Sequence, residues 1–220
     1  IKIKNIIIKD NLNKSKILIT SEDLVIKIKI ENLLNKKKHI YHTAEFNNFK
    51  INFDFKSFKT INLFLNQVSN FISLKFNGGD IILSDGGNYV GAIENVKINS
   101  RFKKNEKKTK LEGQFLNDKI YISYINKNSD NELSSDFLLK MNDLNFTIKG
   151  NFLNLKTNPL NVEGNISIKK DKNKFSGIVQ YEDSKITINK SNLRSPFLDG
   201  KLEGVINFLP YFDFNLDLSL

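Results

Sequence analysis

Residues 48–56, NFKINFDFK, alternate between apolar and polar side chains. Phe49, Ile51, Phe53 and Phe55 take every second position. Successive side chains of an extended strand point to opposite sides, so this segment as a strand has one apolar face and one polar face. The pattern therefore predicts a half-buried strand whose apolar face needs a cover.

The same alternation recurs from one end of the chain to the other, which predicts a sheet of antiparallel strands. It is clearest in residues 198–220, where one apolar phase resumes after Pro210. Proline cannot donate to a strand ladder, so Pro210 predicts a sharp turn between two long strands. Glycine pairs in FNGGD (residues 76–80) and SDGGN (residues 84–88) predict polar loops or turns.

Residues 60–72, TINLFLNQVSNFI, break the alternation. Their apolar side chains recur at helical spacing, and Thr60 is placed to cap the first turn. We expect one short amphipathic helix near residues 60–72 that covers the sheet, because the apolar stripe of a surface helix usually faces a core. A helix lying on a membrane is less consistent with its polar face of Asn and Gln.

The charge of the chain indicates no nucleic-acid partner. The 220 residues carry a formal net charge of +10, but only Arg101 and Arg194 of the 34 basic residues are arginine. Arginine supplies most bidentate contacts to phosphates and bases. The abundance of Lys, Asn and Ile together is typical of an AT-rich genome. The basic run at residues 101–110 predicts a solvated hairpin tip.

Candidate chemistry is sparse. The chain has no cysteine and two histidines, His39 and His42, whose three-residue spacing in a strand places them on opposite faces. It contains no nucleophile, phosphate-loop, zinc or EF-hand motif. We therefore expect no enzyme activity, no catalytic residue, no cofactor and no metal site.

Four glycines fall on the apolar phase of their segments: Gly164, Gly177, Gly200 and Gly204. Glycine in a strand usually marks a bulge, a bend or the close approach of another group. One interpretation is that these glycines let the sheet curve. The other is that the missing side chains leave room for a ligand chain along an inner surface.

Three segments together resemble the AsmA-like proteins. VIKIKIENLLNKKKHIYHTAEFNNFKINFDF (Val25–Phe55) resembles the region that follows the membrane anchor in that family. GGDIILSDGGNYVGAIENVKINSRF (Gly78–Phe102) resembles its "G-x-I-x-x-x-D … I-x-N-V" segment. FSGIVQYEDSKITINKSNLRSPFLDGKLEGVINFLPYFDFNLDLSL (Phe175–Leu220) resembles its repeated strand pair.

The resemblance implies a mainly β protein with a long, curled antiparallel sheet that forms a hydrophobic groove. It implies one elongated domain over residues 1–220, as a fragment of a longer chain, with N-terminal strands in 1–58, the helix in 59–73 and strand repeats in 74–220. AsmA-like proteins extend into the periplasm from an N-terminal helix in the bacterial inner membrane, and they act in outer-membrane biogenesis and phospholipid traffic. The expected partners are phospholipid acyl chains, the inner membrane through a segment outside this sequence, and proteins at the ends of the groove.

The expected lipid-binding residues are those on the apolar phase of the clearest strands: Phe49, Ile51, Phe53, Phe55, Leu202, Ile206, Phe208, Phe212, Phe214 and Leu216. Burying one large apolar side chain is worth roughly 1.5–3 kcal/mol, so four on one strand represent about 6–12 kcal/mol. Such a face must be covered. Two other arrangements also cover it: a compact β-sandwich with function in its loops, and a scaffold that packs on a partner protein.

Overall fold

The computed structural model describes residues 1–10, 14–28, 41–54, 72–103, 105–129, 132–155, 162–182, 185–207 and 213–220. The regular secondary structure in these residues consists of β-strands alone. The strands are β1 Lys2–Lys9, β2 Ile17–Ile28, β3 Tyr41–Asp54, β4 Ser73–Asp85, β5 Asn88–Lys103, β6 Glu106–Phe115, β7 Asp118–Asn128, β8 Glu132–Met141, β9 Phe146–Leu155, β10 Val162–Lys170, β11 Asn173–Glu182, β12 Lys185–Arg194, β13 Asp199–Asn207 and β14 Asp213–Ser219. The prediction of a mainly β protein is confirmed.

All fourteen strands belong to one sheet, in which their spatial order equals their order in the chain. In the described residues, β1 and β14 each pair with a single neighbour, so the sheet is open at both edges. The predicted antiparallel arrangement needs one correction, because β3 and β4 pair in parallel. A parallel pair requires a crossover connection rather than a hairpin. A helix was predicted near residues 60–72, between β3 and β4. This segment lies outside the described residues except for Ile72.

The contacts between strands divide the chain into two compact units, Ile1–Ile120 and Tyr121–Leu220. In the first unit, directly opposed residues form apolar rows across successive strands. One row contains Ile3, Leu24, Phe46, Phe76, Ile98 and Leu111. A second contains Ile8, Ile19, Ile51, Ile81, Ile93 and Phe115. Directly opposed residues share a face of the sheet, so each row lies on a single face. Both rows lie on the same apolar face.

Left-handed residues keep these two rows on the same face. Asn5, Asn48, Gly78 and Asn95 have positive φ angles of 48–65° and lie within β1, β3, β4 and β5. Asparagine and glycine adopt this conformation most readily. The left-handed conformation of Asn48 shifts the side-chain alternation of β3 by one, so that Phe46 and Phe49 face the same side although they are three positions apart. The prediction of a loop at FNGGD is wrong, because its glycines form an irregularity inside β4.

An aromatic cluster fills the centre of the first unit. The rings of Phe46 and Phe76 stack with centroids 4.6 Å apart, and Phe49 meets Phe76 edge-on at 5.2 Å. All three side chains are buried. Gly79 provides the space for Phe49, because a Cβ at Gly79 would overlap the Phe49 carbonyl oxygen and lie 2.5 Å from its Cδ1. The aromatic cluster thus depends on a glycine in the neighbouring strand.

The opposite face of the first unit is a network of paired polar groups. Lys2 lies 2.9 Å from Asp23, and Lys27 lies 3.0 Å from Glu45. The Asn77 amide donates to the second Glu45 oxygen at 2.8 Å. The Lys27 hydrogen bond is the main cause that holds the pKa of Glu45 below its ordinary value, against the opposing effect of burial. The turn predicted at SDGGN is confirmed, since Gly86 and Gly87 have positive φ between β4 and β5.

We expect Gly79→Ala to lower the free energy of unfolding by about 1–3 kcal/mol or more, because the new methyl group collides with the backbone of Phe49. Gly91→Ala on β5 is the matched control. Its Cβ would lie 3.5 Å from the Phe115 ring, an ordinary contact, so the change should stay within about 1 kcal/mol. Urea unfolding measures both values, and equal effects would contradict the packing described for Gly79.

Glu45→Gln should destabilise the protein by roughly 0.2–1 kcal/mol at about pH 7, as expected for a partly exposed ion pair. A carboxylate with a lowered folded-state pKa stabilises above its unfolded pKa, and this contribution is lost as the pH falls through the lowered value. The difference between variant and wild type should therefore shrink as the pH falls below the ordinary pKa of a glutamate.

Glu163→Gln is the control for this titration, because the exposed Glu163 forms no ion pair with a described residue. At about pH 7 its unfolding free energy should stay within about 0.5 kcal/mol of the wild type. A Glu45→Gln deficit that does not change with pH would show that the ionised Lys27–Glu45 pair is not its source.

Candidate functional site

The second unit carries a broad apolar surface, which we call the open apolar face. It is built from rows of directly opposed residues on β8 to β14. The first row contains Leu139, Ile148, Ile168, Phe175, Leu193 and Gly200. The second contains Phe137, Gly150, Ile166, Gly177 and Ser191, and it is continued by Leu202 and Leu218. The third contains Ser135, Phe152, Gly164, Val179, Ile188, Gly204 and Leu216. The fourth contains Leu133, Asn154, Val162, Tyr181, Ile186, Ile206 and Phe214. None of these residues is charged.

The open apolar face is more accessible than its counterpart in the first unit. In the first unit, Val96 is 0% exposed and Ile19 is 1% exposed. In the second unit most apolar side chains are half-buried, and Met141, Val179 and Ile188 are the apolar residues that are fully buried among those described. Phe214 is 61% exposed and Leu218 is 51% exposed. The apolar face of the first unit is therefore closed over its central strands, whereas that of the second unit remains accessible.

A bulge in β12 keeps the open apolar face continuous. The pairing with β11 shifts after Ile188, and the apolar phase passes from Ile188 to Ser191 and Leu193. The Ser191 hydroxyl accepts a hydrogen bond from the Leu202 amide at 2.6 Å and donates one to the Leu202 carbonyl. A side chain thus completes the link to β13 where the regular ladder is interrupted.

Neighbouring groups of the chain itself fill the space beside the glycines on this face. The Phe152 ring lies over both Gly150 and Gly164, where a Cβ would collide with it. A Cβ at Gly177 would lie 3.2 Å from the Phe175 ring. Gly204 has φ of 136°, and its added Cβ would overlap the backbone of β14. At Gly150 and Gly164, therefore, the space left by the missing side chain is taken by Phe152.

The sequence-predicted lining residues fall into two separate sets. Phe49 and Ile51 are buried and Phe53 is half-buried, and all three belong to the closed apolar face of the first unit. In the second unit, Leu202, Ile206 and Leu216 are half-buried and Phe214 is exposed. The pairings of β13 with β14 place Ile206 opposite Phe214 and Gly204 opposite Leu216. Phe55, Phe208 and Phe212 lie outside the described residues.

The strands in the middle of the open apolar face were predicted as strands, but their residues were not among the predicted lining residues. Ile148, Ile166, Ile168, Phe175 and Val179 all alternate with polar residues, so the signal was present in the sequence. Alternation alone does not show which apolar strands stay accessible in the folded protein. In the first unit, the Asn and Gly residues at positive φ were the signal that Phe46 joins Phe49 on one face.

The described residues hold no group of three or more His, Cys, Asp or Glu side chains that could bind a metal ion. No helix capable of crossing a bilayer occurs among them. The feature that distinguishes the second unit is therefore an accessible apolar surface.

Comparisons with known proteins leave this surface as the main guide to function. The chain matches no protein-family model, no curated protein and no solved structure.

Proposed function

We propose that the chain is an AsmA-like β-groove segment that binds phospholipid acyl chains on the open apolar face. The proposal includes a role in moving lipid between the two membranes of a bacterium, within the periplasm and attached to the inner membrane. It assigns no catalytic residue. Leu202, Ile206, Phe214 and Leu216 are the expected lining residues of the second unit, together with the neighbouring rows.

The observation that carries the proposal is the accessibility of an uncharged surface seven strands wide, β8 to β14. Proteins rarely leave apolar patches of this kind uncovered, and large ones usually mark a binding site. A guest alkyl chain gains about 0.8 kcal/mol for each methylene group that it buries. Contact with several rows is therefore enough to hold an acyl tail without any polar recognition motif.

The sheet topology favours this function over a compact β-sandwich. A sandwich covers its apolar residues with a second sheet about 10 Å away. Here the fourteen described strands form one sheet, and the side chains at its β14 end are exposed. A scaffold that packs its apolar face on another protein remains a distinct alternative, and the experiment below separates the two.

Two adjacent residues of β13 provide a matched test. Ile206 and Val205 are both half-buried and apolar, but they point to opposite faces. Ile206→Asp places a charge on the open apolar face, where its desolvation by a lipid tail is unfavourable. We expect this variant to lose about tenfold or more of the phospholipid bound per chain, measured by native mass spectrometry after mild extraction. Val205→Asp should retain the wild-type amount.

Circular dichroism and thermal unfolding must show that both variants keep the sheet. The proposal fails if wild-type protein carries no lipid and does not take up a fluorescent phospholipid from vesicles. It also fails if Val205→Asp and Ile206→Asp lose lipid equally while folded. A stable lipid-free complex with a protein, disrupted by Ile206→Asp alone, would identify the scaffold alternative.

A further inference from the structure

The face of the second unit opposite the open apolar face contains an accessible depression of about 530 Å³. It is bordered by two polar rows across β9 to β12: Lys149, Ser167, Ser176 and Asn192, and Asn151, Asn165, Ile178 and Lys190. The row of Gly150, Ile166, Gly177 and Ser191 lies between them and also lines the depression. Apolar-face residues such as Ile148, Ile168 and Val179 do not line it, so the depression belongs to the polar face.

The depression is strongly cationic. Lys149, Lys174 and Lys190 line it and are exposed, whereas no Asp or Glu is among its lining residues. None of the three lysines forms an ion pair with a described residue. Of the acidic side chains on neighbouring rows of this face, Asp136 accepts a hydrogen bond from Asn151 and Asp199 pairs with Arg194 at 3.2 Å, whereas Glu163 on β10 is exposed.

The positive charge extends along one edge of the depression. Lys169, Lys174 and Arg194 are directly opposed on β10, β11 and β12. Arg194 is paired with Asp199, but Lys169 and Lys174 are like charges in directly opposed positions. Such a pair destabilises a sheet, and a bound anion would relieve this cost. In the first unit the polar face is different, because Lys2 and Lys27 are paired with acidic partners there.

We propose that this depression binds a sugar phosphate, with the phosphate group between Lys149, Lys174 and Lys190. Lysine binds phosphate as a mobile point charge and needs no bidentate geometry. The serine hydroxyls and asparagine amides around it both donate and accept hydrogen bonds, which suits a body rich in hydroxyl groups. The volume lies within the usual range of small-molecule sites. This site is independent of the proposed lipid function, because it occupies the other face of the sheet.

A titration of the full 220-residue chain with glucose 6-phosphate, inorganic phosphate and glucose tests the proposal. We expect saturable binding of glucose 6-phosphate, weaker binding of inorganic phosphate and none of glucose. In nitrogen–proton correlation spectra, the amide shifts should concentrate on β9 to β12. The triple variant Lys149→Gln, Lys174→Gln, Lys190→Gln should weaken glucose 6-phosphate binding by about tenfold or more.

The matched control removes the same charge elsewhere: Lys97→Gln, Lys108→Gln, Lys110→Gln, three exposed lysines on β5 and β6. It should bind glucose 6-phosphate like the wild type. Equal weakening in both triple variants, or shifts spread over lysines throughout the chain, would show a general charge effect and overturn the site. Lipid content should stay unchanged in the Lys149 triple variant, so failure here is distinguishable from failure of the lipid proposal.

A second arm identifies the source of the ligand. Phosphatidylcholine vesicles with and without phosphatidylinositol phosphate offer the same chemistry on a membrane surface. If the wild type binds the phosphoinositide vesicles and the Lys149 triple variant does not, the natural ligand is a lipid headgroup. Binding of free glucose 6-phosphate without vesicle binding identifies a soluble ligand. The absence of both overturns the proposal.

Discussion

The separation of apolar and polar side chains onto two faces of one sheet depends on strand register. A register slip of one residue would move every apolar side chain of a strand to the opposite face. In the first unit, residues with positive φ prevent such a loss: Asn48 and Asn95 each reverse the side-chain alternation within their strands. In the second unit, the bulge of β12 has the same role, and the Ser191 hydroxyl restores the link to β13. Both faces exist because these steps are matched between neighbours.

The two units use this arrangement differently. In the first, the stacked rings of Phe46 and Phe76 and the edge contact of Phe49 lie in a buried centre, and paired charges cover the other face. In the second, the apolar rows stay accessible and several lysines on the other face have no acidic partner among the described residues. Apolar surface that stays exposed and like charges that stay unpaired are both costly. Their joint presence in one unit is why we assign a ligand to each of its faces.

Part of the candidate site followed from alternation alone. The two strands predicted within residues 198–220 do pair, and Ile206 opposes Phe214, whereas the turn predicted at Pro210 lies outside the described residues. Phe49 and Ile51 were chosen by the same criterion but are buried in the first unit. Alternation reports which side of a strand is apolar, but it does not report what lies against that side. For the same reason, the glycines at 150 and 164 could not be interpreted without knowing that Phe152 lies over them.

The sequence by itself determined the strand-rich fold and the assignment of residues to two faces, because side-chain alternation is a local property of extended backbone. It also determined the turn at Gly86 and Gly87, where local conformational freedom decides. The tertiary structure decided the parallel pairing of β3 with β4, the placement of FNGGD inside a strand and the difference in exposure between the two apolar faces. It also brought Lys149, Lys174 and Lys190 together from three strands. These features arise from contacts between residues distant in the chain, which no local pattern records.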